Sequence, residues 1–470
     1  MEIITMTYYS IELKILQNLR KSNIIHRSKS NSGLWLGLLI GTCALITFMK
    51  EDSSYSEICL LTGLTGLGLI MSCICLIFQL YIDTSSKDFQ LLYFLPASLT
   101  SMLYLLWANK DLLVSVIWGL GVGTLSTWGV LQLMTYLPGC FTLGECIVVM
   151  HGVILFLLSS GANLSLRYHL PPLHDDDIAT TILQVGILYI GLLSLFCVSY
   201  PKLRSAKLFY SITFGLLILV VIPVLHILLD QSPLLWMLFF VFGNFRKIFL
   251  IMYWTVCLLI GIIIITHQIL SESSASTIER KTFHILAVLV YIPGLIWEPT
   301  LLYLASGIVM ILFMMFELMR LINLPPLNKV LKLGFSAFVD EKDSFISLTP
   351  LYLHVGLSFP LWMPSSNIDL LPLISGVTVL GIGDSAASFI GSKYGKHKWP
   401  ETSKTVEGTI ACILSQLLFI YGLAIIGVIP SGWVLVKSTL AIIAVSIIEA
   451  RTNQVDNLAL PLLLYIFLIT

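Results

Sequence analysis

The chain has 470 residues, of which 57% are hydrophobic and only 11% are charged, and its formal net charge is zero. A water-soluble fold of this length does not need so much apolar surface, whereas a protein embedded in a lipid bilayer does. The composition therefore indicates a membrane protein. A neutral chain also lacks the broad positive potential that nucleic acids attract, so no nucleic-acid partner is expected.

The apolar runs predict the fold class. A transmembrane helix needs about 20 apolar residues, and roughly fifteen runs of suitable length occur. They lie at 34–49, 57–82, 90–107, 112–136, 141–161, 179–198, 208–229, 248–268, 283–300, 301–323, 345–362, 371–390, 408–428, 433–449 and 456–470. Because backbone groups in lipid must be hydrogen-bonded within the chain, we predict an all-α polytopic membrane protein with roughly 13–15 transmembrane helices.

Topology follows from the basic residues of the short loops. The first 33 residues are polar and basic, show no signal peptide and are predicted to be cytoplasmic. The run 234–243 is too short to span and is treated as non-crossing. Counting crossings then places four polar stretches (271–282, 324–344, 391–407 and 450–455) in the cytoplasm and the acidic loop at 175–177 in the lumen. A glycosylation sequon at Asn163 would begin that lumenal loop.

Chemistry-bearing residues concentrate in the second half, so we divide the chain into an N-terminal transmembrane region (1–247) and a catalytic transmembrane region (248–470). The first cluster of the second region is Arg280, Lys281 and His284. Arg280 and His284 are four residues apart and share a helical face, and arginine suits bidentate phosphate binding. A basic cluster that only sets the topology is the alternative.

Acidic residues follow at 340–343, where three carboxylates within four residues are suited to a divalent cation. A solvated charged loop is the alternative, and Asp343 is the residue nearest the next helix. Asp384 lies within or at the end of a predicted span, where a charge is costly and usually functional. It is predicted either to bind a metal or to act as a base, and packing against a lysine is the alternative.

Gly381, Asp384, Ser388 and Gly391 are spaced to form one stripe on a helix. Ser385 and Ser388 are suited to hydrogen-bond a phosphate or only the preceding helical turn. A lysine-bearing loop follows, with Lys393, Lys396 and Lys404. The Trp399-Pro400 pair is suited either to stack on a nucleobase or to anchor at the membrane interface.

Lys404, Thr405, Glu407 and Gly408 stand just before a span, so the N-terminus of that helix can present free N–H groups to phosphate. Neither a P-loop nor a Rossmann fingerprint is present. Near the end of the chain, Glu449, Asn453 and Asp456 would share one face if the helix continued. A short loop that caps two spans is the alternative.

The segments GDSAAS and WPETSKTVEGT together resemble the CTP-binding region of dolichol kinases, within the polyprenol and phytol kinase group. FVDEKDS and EARTNQVDNLALPL resemble further elements of that family. The resemblance implies transfer of the γ-phosphate of CTP to dolichol, which gives dolichyl phosphate for protein glycosylation. It also implies a multi-pass protein of the endoplasmic reticulum membrane with a cytoplasmic active site and a divalent cation, Mg²⁺ or Ca²⁺.

Carried onto this sequence, the resemblance implies three groups of site residues. The catalytic group is Asp384, Lys404, Arg280 and His284. The nucleotide-binding group is Lys281, Ser385, Ser388, Lys393, Lys396, Trp399, Pro400, Thr405, Glu407, Gly408, Thr409 and Asn457. The metal group is Asp384, Asp456 and Asp343. Three alternatives stay open: a CTP-dependent kinase of another lipid alcohol such as phytol or diacylglycerol, a cytidylyltransferase, and a multi-pass transporter.

Overall fold

The structure is a computed structural model that describes residues 2–27, 30–50, 56–82, 90–270, 277–336, 343, 345–364, 369–400 and 402–470, without the side chains of 2–7, 269, 277–280 and 336. These residues form α-helices in succession, joined by short loops. The helices are α1 (Glu2–Lys21), α2 (Leu39–Lys50), α3 (Glu57–Ile82), α4 (Phe94–Leu106), α5 (Leu112–Thr124), α6 (Val130–Tyr136), α7 (Leu143–His169), α8 (Asp175–Ser199), α9 (Ala206–Leu216), α10 (Ile222–Leu229), α11 (Pro233–Phe242), α12 (Phe245–Leu270), α13 (Thr277–Trp297), α14 (Pro299–Leu321), α15 (Asn328–Ser336), α16 (Leu348–Trp362), α17 (Leu370–Leu373), α18 (Ser385–Tyr394), α19 (Val406–Ile425), α20 (Trp433–Arg451) and α21 (Asp456–Ile469).

Short 3₁₀ and π-helical segments complete the architecture. The 3₁₀ segments are Leu34–Leu38, Leu91–Tyr93 and Pro201–Arg204. The π-helical segments are Leu125–Gly129, Leu217–Val221 and Val377–Asp384. Pairing between extended segments is limited, in the described residues, to one isolated antiparallel bridge between Lys398 and Thr405. The predicted all-α polytopic class is confirmed.

Nine helices of the described residues are long and apolar enough to cross a membrane, and five further apolar helices are shorter. Each run that was predicted as a span coincides with a helix or a pair of helices. The run 371–390 is the least regular of them, because α17, the π-helical segment Val377–Asp384 and α18 share it. The irregular backbone lies where the polar residues of the chain converge.

One end of the bundle gathers the polar stretches, and we call it the polar end. Gln454 Nε2 donates to the carbonyl oxygen of Asn31 at 2.9 Å, which joins the stretch 450–455 to the N-terminal segment. The Tyr210 hydroxyl donates to the Pro325 carbonyl at 3.2 Å, which joins the start of α9 to the stretch 324–344. The placement of the four stretches on one side of the membrane, and the side itself, stay predictions.

Helix α11 lies at the opposite end. Helices α9 and α10 run from the polar end to Leu229, whereas α12 returns to the polar end at Leu270. The start of α12 is therefore also at the opposite end, where Asn244 donates to Glu298 at 3.3 Å. The Trp236 indole of α11 donates there to Asp175 at 3.0 Å. A ten-residue helix is only about 15 Å long, so α11 does not cross.

The predicted glycosylation sequon is inaccessible. Asn163 lies inside α7 and is only 1% exposed. Its amide donates to Gln184 at 2.8 Å and to Thr181 at 3.3 Å, so it joins two transmembrane helices. A glycosylation site must be on a free surface loop. The Asn163 sequon is therefore a packing element and is not available as an acceptor.

Both predicted regions share one hydrophobic core. Ile15 and Leu19 of α1 are fully buried, and they belong to the same cluster as Leu348 of α16 and Leu462 of α21. The polar N-terminal stretch, for which the sequence predicted no packed element, thus contributes an apolar face to this core. The boundary at 247 falls near the start of α12, and the division between the two regions stays a functional prediction.

Candidate functional site

Asp384 is the centre of the polar end. It is the last residue of the π-helical segment Val377–Asp384, and its side chain is only 9% exposed. The ammonium group of Lys281 donates to Asp384 Oδ2, and His284 Nδ1 lies 3.3 Å from the same oxygen. Lys281 and His284 lie three residues apart on α13 and so share one helical face. Asp384 is therefore a buried carboxylate with two nitrogen partners.

A glycine allows α13 to approach this segment. A Cβ atom on Gly381 would lie 2.3 Å from Val288 Cγ2, closer than van der Waals contact permits. Gly391 instead faces α19, where its Cβ would meet Thr405 Oγ1 at 2.9 Å. The predicted stripe of Gly381, Asp384, Ser388 and Gly391 therefore does not face a single helix: its start faces α13 and its end faces α19. The π-helical segment changes the number of residues per turn and so rotates the later positions.

Lys404 enters the site from a narrow loop before α19. The Trp399 N–H donates to the Lys404 carbonyl at 3.0 Å, and the Val406 N–H donates to the His397 carbonyl at 2.8 Å, so the loop is closed by backbone bonds. Lys404 Nζ donates to Glu449 Oε1 at 2.5 Å and to the Glu449 carbonyl at 2.7 Å. It lies 4.0 Å from Asp456 Oδ2.

The charge of Lys404 is set by these neighbours. Burial lowers the pKa of Lys404, but the carboxylates of Asp456 and Glu449 outweigh burial and raise the pKa above its ordinary value. The ammonium group is consequently charged throughout the physiological pH range. The two neighbouring carboxylates cancel the positive charge of Lys404. This lysine can therefore attract an anionic ligand only if a second cation neutralises part of the carboxylate charge.

Three carboxylates converge beside Lys404. Oxygen atoms of Asp384, Glu449 and Asp456 lie within 4.8 Å of one another, and the first two side chains are buried. Carboxylate oxygens are the ligands that Mg²⁺ and Ca²⁺ prefer. The donor chemistry of this group therefore fits a divalent cation, as the resemblance implies for Asp384 and Asp456.

Glu449 is the member of this group for which no role was predicted from the sequence. It was predicted to share a helical face with Asn453 and Asp456, but α20 ends at Arg451 and Asn453 is exposed in the loop. The three residues therefore do not share a helical face. Glu449 and Asp456 meet instead because the chain turns between the end of α20 and the start of α21.

Other predicted residues surround the site. Ser385 is buried, and its Oγ has no hydrogen-bond partner within the described part of the chain. Ser388 is half-buried on the next turn of α18. The Asn457 N–H donates to Asp456 Oδ1 at 3.1 Å, at the first turn of α21. An unpaired buried hydroxyl is costly, so Ser385 is a candidate contact for a ligand oxygen.

Several loop residues have local partners. The Thr405 side chain caps α19 by accepting from the Gly408 N–H at 3.2 Å. Thr409 Oγ1 accepts from the Trp399 indole at 3.0 Å. Glu407 accepts from His397 Nδ1 at 2.6 Å. These bonds fix the loop and its lysine.

The surface of this loop is basic. The exposed residues among those predicted for the nucleotide are Lys393, Lys396 and Pro400. The Lys393 ammonium lies 5.4 Å from the ring centre of Tyr394, and the Arg451 guanidinium lies 5.5 Å from that of Trp399. Arginine over an aromatic face is a favourable contact, and it covers one side of the Trp399 ring.

One predicted metal ligand is not part of the group, and the side chain of one predicted catalytic residue is not described. Asp343 Oδ1 accepts from the N–H groups of Leu348 and Thr349 at 3.0 and 3.1 Å, so it caps the start of α16 and lies outside the carboxylate group. Arg280 belongs to α13, but its side chain is outside the described part of the structure. The acidic residues 340 and 341 are likewise outside the described residues.

Comparison with known proteins adds independent evidence. The dolichol kinase family model matches residues 108–358, more than half of the chain, and the match includes Lys281 and His284 but ends before Asp384. Dolichol kinase of Homo sapiens is 34% identical over 364 residues, which cover 72% of this chain and 66% of the human protein. Dolichol kinase EVAN of Arabidopsis thaliana is 29% identical over 397 residues, 75% of this chain and 68% of that protein.

A more distant relative extends the comparison. Phytol kinase of Synechocystis sp. is 25% identical over 221 residues, which cover 43% of this chain and 84% of that enzyme. No solved structure matches. The chain spans slightly less than two thirds of the length of the human relative. The family match and these similarities together show that the chain belongs to the dolichol kinase family.

Proposed function

We propose that this protein is a CTP-dependent dolichol kinase of the endoplasmic reticulum membrane, with its active site facing the cytoplasm. It transfers the γ-phosphate of CTP to the terminal hydroxyl of dolichol, and CDP leaves. The dolichyl phosphate product then serves protein glycosylation. The observation that carries the proposal is the convergence of Asp384, Glu449 and Asp456 with Lys281 and Lys404 at one end of a membrane bundle.

The location of the site suits reactants from two phases. Each buried CH₂ of a lipid contributes about 0.8 kcal/mol to membrane binding, so a polyisoprenoid alcohol stays in the bilayer. A nucleotide, by contrast, stays in water because its phosphates are charged. Only a site at the end of the bundle is accessible both to the lipid alcohol and to the nucleotide. The exposed Lys393 and Lys396 attract the anionic nucleotide to that end.

Phosphoryl transfer depends mainly on positioning and on compensation of charge. Lys404 and Lys281 are proposed to compensate the charge of the β- and γ-phosphates, together with Arg280. Both described lysines contact carboxylates, so they are held at the site by the protein itself. Ser385 Oγ is proposed to donate to a phosphate oxygen, which would satisfy its buried hydroxyl.

Asp384, Glu449 and Asp456 are proposed to hold the divalent cation. The cation, when bound, would neutralise charge between the phosphates. The protein's own part is to keep three oxygen donors close together, and the ammonium groups of Lys281 and Lys404 compensate part of their negative charge. Asp384 Oδ2 accepts from the Lys281 ammonium and faces His284 Nδ1 at 3.3 Å, so this oxygen is already engaged and is not assigned as the base.

His284 is the better candidate for the base. Its Nδ1 lies 3.0 Å from the Leu380 carbonyl and 3.3 Å from Asp384, and a proton on Nδ1 satisfies both acceptors. In that tautomer the lone pair is on Nε2. We assign Nε2 as the atom that takes the proton of the lipid hydroxyl as its oxygen attacks the γ-phosphorus. Asp384 thereby orients the imidazole as well as holding the cation.

Transfer of label from γ-labelled CTP to dolichol tests the proposal, with ATP alongside. In membranes that contain the wild-type protein we expect labelled dolichyl phosphate from CTP. Lys404→Ala should reduce the rate by about 10²-fold or more, because a charge that stabilises the transition state is lost. Lys202→Ala, which removes an exposed lysine at the same end, should leave the rate unchanged. Folded protein that transfers no label to dolichol would refute the proposal.

A second candidate is a kinase of a shorter lipid alcohol. The similarity to phytol kinase over 84% of that enzyme is the observation that favours it. The same assay with phytol and with diacylglycerol separates the candidates. Transfer to phytol without transfer to dolichol would retain the mechanism and change the lipid.

A further inference from the structure

We propose that the N-terminal half positions the active site through a buried network of Arg27, Thr142, Glu145 and Gln454, which holds the chain immediately before Asp456. This inference rests on the proposed function of the carboxylate site. It assigns a role in nucleotide and cation binding to Arg27, Thr142 and Glu145, which lie more than 300 positions before Asp456 in the sequence. These residues are positioning residues, because none of them belongs to the carboxylate group itself.

Glu145 is the centre of the network. It is 0% exposed, near the start of α7, and its Oε2 accepts from the Thr142 N–H at 3.1 Å in a capping box. Its Oε1 accepts from Arg27 Nη2 at 2.5 Å and from the Val455 N–H at 3.4 Å. One buried carboxylate thus joins the N-terminal segment, α7 and the loop before α21.

Gln454 supplies the second connection. It is 3% exposed, and its Oε1 accepts from Thr142 Oγ1 at 2.9 Å. Its Nε2 donates to the Asn31 carbonyl at 2.9 Å. Gly33 has a φ of 68°, and a Cβ there would lie 2.5 Å from Gln454 Oε1. The N-terminal segment therefore closes over the Gln454 side chain, which leaves it little freedom.

These contacts end one residue before the site. Val455 precedes α21, and the Ala459 N–H donates to its carbonyl at 3.2 Å, so Val455 belongs to the start of that helix. Asp456 follows directly and lies 4.0 Å from Lys404. On the other side, Lys404 holds the Glu449 carbonyl at 2.7 Å. The segment 449–457 is therefore fixed from both sides, and Asp456 lies between the two attachments.

Stability alone does not account for a buried ion pair here. Removing two charges from water is expensive, and apolar residues of similar volume are often as stabilising or more so. Buried ion pairs are best justified where they fix a register or an arrangement. The arrangement fixed here is the position of Asp456. Displacement of a catalytic group by about 1 Å can cost as much as 10²-fold in rate.

Isosteric variants in detergent solution test the network. Gln454→Met and Thr142→Val remove the side-chain hydrogen bonds and keep the volume, whereas Thr142→Ser keeps the hydroxyl. Mn²⁺ binding is measured by electron paramagnetic resonance of the free ion, and the CTP midpoint is measured by thermal stabilisation. We expect Gln454→Met and Thr142→Val to weaken Mn²⁺ and CTP binding by roughly three- to tenfold, the worth of one or two hydrogen bonds. Thr142→Ser should remain close to wild type.

Asn163→Leu is the matched control, because Asn163 is an equally buried, hydrogen-bonded residue towards the other end of α7. It should lower the melting temperature without changing either midpoint. Midpoints within twofold of wild type in both network variants would overturn the proposal. Wild-type protein that binds Mn²⁺ but neither binds CTP nor phosphorylates dolichol would refute the proposed function alone, and weaker Mn²⁺ binding in the variants would still support the network.

Discussion

Asp384 is buried and Asp343 is half-buried, and their oxygens meet different partners. Asp384 faces the Lys281 ammonium, His284 and two further carboxylates, so its charge is available to a ligand. Asp343 accepts from two backbone N–H groups at the start of α16. Sequence alone gave both residues a metal-binding role. The surroundings favour that role for Asp384 and a capping role for Asp343.

Matched substitutions at the two aspartates separate these roles. Asp384→Asn should reduce phosphate transfer by about 10²-fold and weaken Mn²⁺ binding, because a charged ligand is lost. Asp343→Asn should preserve transfer, because an asparagine oxygen caps a helix almost as well. Asp343→Ala should lower the free energy of unfolding by about 1 kcal/mol. Loss of transfer in Asp343→Asn at an unchanged melting temperature would instead establish the predicted metal role of Asp343.

At the scale of elements, the packing of α16 against α21 supports the site. A Cβ atom on Gly356 of α16 would lie 2.1 Å from the Asn457 carbonyl oxygen and 3.0 Å from Pro461 Cγ. The two helices can therefore approach only because residue 356 has no side chain. The first turn of α21, which carries Asp456 and Asn457, is the part that would have to move.

Gly356→Ala should therefore affect both stability and binding. We expect a loss of about 1–3 kcal/mol from overpacking, together with weaker CTP stabilisation. Gly152→Ala on α7 is the control, because a Cβ there meets nothing within 4 Å. It should stabilise the helix by up to about 1 kcal/mol. Unchanged melting temperature and CTP midpoint in Gly356→Ala would show that α21 adjusts without cost.

At the scale of the whole molecule, the contacts group the N-terminal segment with the site and place α11 with the acidic loop at the opposite end. All nine cysteines are buried, so an introduced surface cysteine can be labelled selectively. Ser392 is exposed at the polar end, and Leu173 is 89% exposed in the loop before α8. These two positions report on opposite sides of the membrane.

A membrane-impermeant maleimide applied to sealed microsomes tests the orientation. Ser392→Cys should react in intact vesicles, because the polar end is proposed to face the cytoplasm. Leu173→Cys should react only after permeabilisation. The wild-type chain should show little labelling in either state. The reverse pattern would place the site in the lumen and would contradict a cytoplasmic nucleotide site.

The amino-acid sequence by itself determined the class of fold and the location of most helices. Hydropathy is a local property, and in lipid every backbone group must be bonded within its own segment, so apolar runs such as 57–82 become helices whatever surrounds them. It also indicated Asp384 and Lys404, because charges at membrane depth or before a helix are conspicuous in an apolar chain.

Only the tertiary structure decided which of these charges meet. Glu449 joins Asp384 and Asp456 because α21 packs against both α20 and the π-helical segment Val377–Asp384, an arrangement that no local pattern records. Asp343 is drawn to the start of α16, and Glu145 reaches Val455 across 310 positions of sequence. Side-chain convergence depends on helix packing, and packing is decided by shape and burial over the whole molecule. For this reason the contribution of the N-terminal half became visible only in the folded chain.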